Sequence, residues 1–118
     1  MIDGKEQSFG ELLTLMIKEA GLTQVEFYTR LKIKKSYFYD ILSGKVNPPP
    51  AEKQFVAITI LNPPSVTRES FFDLAAKERH EVPADIAKFL ENPDERKLLR
   101  KRLDYNKMKF GENKNASE

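Results

Sequence analysis

The chain has 118 residues with no cysteine and one histidine; 40% of the residues are hydrophobic, 32% are charged, and the formal net charge is +2. That length and composition suit one domain with one modest core. The lack of cysteine excludes disulfides, thiolate zinc sites and cysteine nucleophiles, and His80 alone excludes a multi-histidine metal site.

No apolar run reaches the roughly 20 residues that cross a bilayer, so no membrane partner is expected. The opening M-I-D-G-K-E lacks an apolar signal core, which makes a cytoplasmic location the expectation. Charge is unevenly spread. Residues 30–53 hold six lysines and arginines against two acids, and residues 94–109 hold seven against three. Local basic patches on a nearly neutral chain suit either solvated helix faces or polyanion binding.

Residues 1–7 are polar and expected to be flexible. Ser8 with Glu11 three residues on makes a capping-box pattern. After it, Phe9, Leu12, Leu13, Met16, Ile17 and Ala20 keep helical spacing until Gly21. Thr23 with Glu26 repeats the capping box, and a second helix is predicted from Gln24 to Leu31 with Phe27, Tyr28 and Leu31 inward. Lys32-Ile33 leaves room only for a tight turn. The stretch from Lys34 to Gly44 then places Phe38, Ile41 and Leu42 on one side and Ser36, Tyr39, Asp40 and Ser43 on the other. Two short helices joined by so short a turn predict a helix-turn-helix.

Three prolines, Pro48 to Pro50, forbid helix before Ala51. A fourth helix is predicted from Glu52 to Leu61, carrying Phe55, Val56, Ile58, Thr59 and Leu61 and stopped by Asn62-Pro63-Pro64. Ser65 or Thr67 is expected to cap a fifth, about Thr67 to Arg79, with Phe71, Phe72, Leu74 and Ala75 as its stripe. Pro83 opens a sixth through Ile86, Ala87, Phe89 and Leu90. Asn92, Pro93 and Glu95 form a strong helix start for a seventh reaching about Lys107, and residues 108–118 read as a disordered tail. No segment alternates like a strand. The expected fold is all-α: a compact bundle of about five helices around the helix-turn-helix, at residues 8–79, with a C-terminal helical extension over 80–107.

Residues Phe9 to Pro48 resemble the Cro and lambda-repressor type of helix-turn-helix family, often called XRE. L-T-Q-V-E-F at Leu22 to Phe27 fits that family's second-helix signature. Leu31, Ile33, Phe38, Gly44 and Pro48 fall on its leucine, turn aliphatic, recognition-helix aliphatic, terminal glycine and following proline. S-Y-F-Y-D-I and the later D-L-A-A-K-E-R-H-E-V-P-A-D-I, Asp73 to Ile86, are similar to one branch of it. Four positions depart from the pattern. Tyr28 replaces an alanine and is expected to push the two helices apart or swing its ring outward. Lys32 replaces the turn glycine, so either a left-handed lysine or a slightly different turn is expected. Lys34 replaces a capping serine or threonine, leaving the third helix weakly capped, and Leu42 replaces a glutamate.

The resemblance implies that the second helix crosses the phosphate backbone and the third lies in the major groove of duplex DNA. It implies phosphate contacts from Gln24, Lys34, Ser43 and Lys45. Base contacts would come from Lys35, Ser36, Tyr39 and Asp40, with Lys35 donating to guanine and Asp40 accepting from cytosine. Blander roles stand beside these: Tyr37 and Tyr39 as packing residues, Asp40 paired with Lys35 or Arg30, and Gln24 stitching two helices together. Leu98, Leu99 and Leu103 either pair with a second copy, grip a partner protein as an antitoxin would, or pack within the chain. His80-Glu81 does not continue into H-E-x-x-H, and no nucleophile has a base beside it. Neither an enzyme nor a cofactor is expected.

Overall fold

Two reciprocal caps set the first turns of the chain. The Ser8 hydroxyl accepts from the Glu11 N–H at 3.1 Å while Glu11 accepts from the Ser8 N–H at 2.9 Å. Thr23 and Glu26 do the same at 3.0 and 2.8 Å, satisfying donors that a helix start would otherwise leave open. The computed structural model describes residues 6–108 and places helices α1 (Phe9–Glu19), α2 (Gln24–Leu31), α3 (Lys35–Ser43), α4 (Ala51–Leu61), α5 (Ser65–Arg79), α6 (Ala84–Phe89) and α7 (Pro93–Arg102). Among the described residues no strand occurs. The all-α expectation is correct, and no described helix is long and apolar enough to cross a membrane.

Packing divides the chain into two units, Met1–Ala87 and Lys88–Glu118. In the first, Phe9, Leu13, Met16 and Ile17 of α1 meet Phe27 and Leu31 of α2, Phe38 and Ile41 of α3, and Phe71, Phe72 and Ala75 of α5 in one buried cluster. Aromatic rings make up much of that core. Phe9 lies 5.1 Å from Phe71, Phe71 lies 5.4 Å from Phe72, and Phe72 lies 5.4 Å from Phe55. Tilted and edge-on pairs at such spacings attract beyond the area they bury.

Charged side chains close several backbone ends. Glu78 accepts from the Phe9 N–H at 2.9 Å, Lys53 donates to the Leu31 carbonyl at 2.9 Å, and Arg79 donates to the Pro48 carbonyl at 2.9 Å. Arg79 is itself held by the Glu81 carboxylate at 2.9 and 3.1 Å. That contact raises the Arg79 pKa further and holds Glu81 below the usual carboxylate range. Both residues stay charged across the physiological range.

Several boundaries and faces differ from the sequence expectation. α4 turns Gln54, Ala57 and Leu61 inward, with Val56 exposed. Gln54 is buried with its Nε2 donating to the Pro49 carbonyl at 2.8 Å, while its Oε1 has no hydrogen-bond partner among the described residues. α5 begins at Ser65 with Pro64 in the cap position and no side-chain cap, so neither Ser65 nor Thr67 caps it. α7 starts where expected, with Asn92 accepting from the Asp94 N–H at 2.8 Å. It ends at Arg102 rather than Lys107, giving way to an Asp104 turn. Glu6, in the stretch expected to be flexible, pairs with Lys77. Residues 1–5 and 109–118, and with them most of the expected loose terminus and disordered tail, lie outside the described residues.

One contact fixes the depth of α3. A Cβ at Gly10 would stand 2.2 Å from the Leu42 carbonyl oxygen, so α1 and α3 touch through their backbones. Gly10→Ala should therefore destabilise the protein by on the order of 3 kcal/mol, overriding the helix preference of alanine. Urea unfolding measures the loss, and a stability equal to wild type would disprove the backbone contact.

Candidate nucleic-acid interface

The turn between α2 and α3 comprises residues 32–34, and its shape is set by a lysine. Lys32 adopts φ 63°, ψ 44°, the left-handed alternative of the two expected for it. A non-glycine residue there costs about 1–2 kcal/mol. Lys53 secures the end of α2 from α4. Lys34 then stands at the cap of α3 in extended conformation and gives no side-chain cap. The first N–H groups of α3 are left to solvent or a ligand, with the positive end of the helix dipole behind them.

The inner side of α3 is firmly seated. Phe38 is completely buried, 5.9 Å from Phe27 and 5.3 Å from Tyr28. Tyr28 is half-buried beside these rings rather than swung clear. Its ring joins the core edge where the resemblance leads one to expect an alanine. Tyr37 also packs against the core, as its packing reading had it. Gly44, at φ 82°, ends the helix.

The outer side carries the residues singled out from the sequence. Lys34, Lys35, Ser36, Ser43 and Lys45 are exposed, and Gln24 and Asp40 are half-buried. Among the described residues, Lys34, Lys35 and Lys45 enter no ion pair, and Asp40 pairs with neither Lys35 nor Arg30. Ser43 is partly committed, donating to the Asp40 carbonyl at 3.2 Å and accepting from the Lys45 N–H at 3.4 Å. Tyr39 is 40% exposed. Its ring stands edge-on to Phe38 at 5.0 Å and to Tyr28 at 6.4 Å, and its hydroxyl donates to Gln24 Oε1 at 3.1 Å. The structure thus brings Gln24 and Tyr39 together, and separately Asp40, Ser43 and Lys45 at the far end of α3.

Leu98, Leu99 and Leu103 belong to the second unit. Leu98 and Leu99 are exposed, Leu103 is partly covered, and α7 buries none of its residues. Arg96 donates to the Leu90 and Glu91 carbonyls at 2.8 and 3.1 Å, bracing the corner into α7. Among the described residues no group of three or more histidine or acidic side chains is placed to hold a metal ion. No protein-family model matches the chain, and neither a curated protein nor a solved structure matches it.

Sequence reasoning missed Gly10, Lys53 and Arg79, the residues that set α3 and its flanking loop in place. A glycine inside a helical apolar run was the available signal for Gly10. The two cations carried none, since their acceptors are backbone carbonyls distant in the chain. The cap position is directly testable. Lys34→Ser should supply the missing acceptor and stabilise the fold by about 1 kcal/mol. A rise in the urea midpoint with unchanged slope is the expected reading, and an unaltered midpoint would mean that α3 is already capped.

Proposed function

We propose that the chain is a sequence-specific regulator of transcription, repressor-like and dimeric, that reads the major groove of double-stranded DNA with α3. The observation that carries this reading is the outer face of α3. Lys34 and Lys35 stand at an uncapped helix start and enter no ion pair among the described residues, Ser36 and Tyr39 follow on the exposed side, and Lys45 lies just beyond the other end. Backbone N–H groups and cations converging at one point suit phosphate oxygens. Lys35 suits guanine O6 or N7, Asp40 a cytosine amino group, and the exposed edge of Tyr39 a thymine methyl. Gln24 at the start of α2, with Lys34, Ser43 and Lys45, supplies the phosphate contacts.

One helix of this length makes few contacts. A second copy, reading a half-site about 34 Å along the duplex, would double them. The resemblance of residues 9–48 to the Cro and lambda-repressor type agrees with that arrangement. Binding should fall steeply with salt, because displaced counterions supply much of the affinity. On a duplex selected from a random pool, Lys35→Ala should cost about 1–3 kcal/mol and relax base preference. Lys45→Ala should weaken selected and random duplexes alike and lower the salt slope by about one. If neither change weakens binding, α3 is not the reading helix.

A second reading is favoured by α7, which buries none of its residues and leaves Leu98 and Leu99 exposed. In it the chain is a protein-interaction module, such as an antitoxin that holds a partner through its C-terminal helices. Changing Leu98→Asp and Leu99→Asp together separates the two. Loss of the dimer in sedimentation, with DNA affinity falling alongside, supports the homodimeric regulator. Unchanged sedimentation and DNA affinity, with release of the product of a neighbouring gene, supports the module.

A further inference from the structure

Tyr39 would be taken for a base reader because of its place midway along the outer face of α3. Its surroundings argue for another task. The ring is fixed on two sides, edge-on to Phe38 at 5.0 Å and to Tyr28 at 6.4 Å. The hydroxyl, its hydrogen-bonding group, donates to Gln24 Oε1 at 3.1 Å across the junction of α2 and α3. Gln24 is the first residue of α2, where an extended side chain has many rotamers to choose from. With Oε1 engaged, the donor half of the amide is the free half. Among the described residues the Gln24 side chain bonds through Oε1 and not through Nε2.

We infer that Tyr39 is a positioning residue, which holds the Gln24 amide with its N–H groups free to donate to a DNA phosphate oxygen. The inference rests on the DNA-binding reading and assigns Tyr39 a different part in it. A phosphate is the fitting acceptor because Gln24 lies in the first turn of α2, at the positive end of its dipole. The partner chemistry is uncharged amide to anionic oxygen. Tyr39 then adds to affinity on every sequence, because all sequences share the same phosphates. Its hydroxyl takes no part in choosing the base. Restricting the glutamine before DNA arrives lowers the ordering cost of the contact, in the manner of any preorganised group.

A double-mutant cycle on the full chain tests this, with binding to a selected duplex and to random DNA measured at fixed salt. Tyr39→Phe keeps the ring and removes only the hydroxyl. In the wild-type background it should weaken binding about fivefold, the worth of one hydrogen bond, on both duplexes and with the salt slope unchanged. In the Gln24→Ala background the same change should cost less than about twofold, since nothing is left to position. Equal losses in the two backgrounds would overturn the inference, because a structural role or a direct contact does not depend on Gln24. A loss confined to the selected duplex would overturn it too, by making Tyr39 a base reader. Both of those results leave DNA binding by α3 standing. A wild-type protein that binds no duplex at low salt removes the reading and the inference together.

Discussion

With 2.2 Å between a Cβ at position 10 and the Leu42 carbonyl oxygen, α1 and α3 can cross at backbone contact only because Gly10 has no side chain. The rest of the candidate surface follows from that crossing. A helix of nine residues has little stability of its own, so α3 is held by what it touches. Leu42 meets α1, Ile41 enters the main core, and Phe38 is enclosed by Phe27 and Tyr28. These anchors lie on one side and fix the rotation of the helix. The outward direction of Lys35, Ser36 and Tyr39 is a consequence.

The cations near α3 divide into two groups with different duties. Lys53 and Arg79 close backbone carbonyls at Leu31 and Pro48, so they brace the chain just before and just after α3. Hydrogen bonds from charged donors to carbonyls are stronger than neutral ones, which suits them to loops that no strand or helix supports. Lys34, Lys35 and Lys45 are engaged in no ion pair among the described residues. Of the six cations in residues 30–53, Lys53 is therefore committed to the fold, while Lys34, Lys35 and Lys45 stand at the two ends of α3.

What could be read from the sequence was local. The two capping boxes, the left-handed Lys32, the uncapped Lys34 and the closing Gly44 each depend on residues within four positions, and the structure has them all. Where distant elements decide, sequence periodicity misleads. α4 alone offers Val56 as readily as Ala57 to a core. In the structure Ala57 and Leu61 join the core built by α1, α2 and α5, and Val56 faces out. Tyr28 likewise follows the neighbouring rings of Phe38 and Tyr39 rather than its own helix. The candidate site divides in the same way. Its set of outward residues follows from helical spacing, whereas the bond from Tyr39 to Gln24 joins residues fifteen positions apart.

Two local rules are broken side by side next to the outer face of α3, and each is broken elsewhere too, at the left-handed Asn62 and His80 and at the starts of α4 and α5, which also lack a side-chain cap. Lys32 holds a conformation that glycine takes without strain, at a cost of about 1–2 kcal/mol. Lys34 occupies a cap where serine or threonine would be worth about 1 kcal/mol more. The left-handed turn at Lys32 lets the Lys32 and Ile33 N–H groups close the Thr29 and Tyr28 carbonyls at 3.1 Å each, whereas neither lysine finds an acidic partner among the described residues. Sequences that specify a fold are locally consistent except where function requires otherwise. An uncapped start also leaves backbone N–H groups open that a serine hydroxyl would occupy. In the DNA-binding reading proposed above, Lys34 exchanges a side-chain cap for a charge beside those open donors. A surface built to pack against protein gains nothing from that exchange, whereas one built to meet phosphates gains both the charge and the open donors.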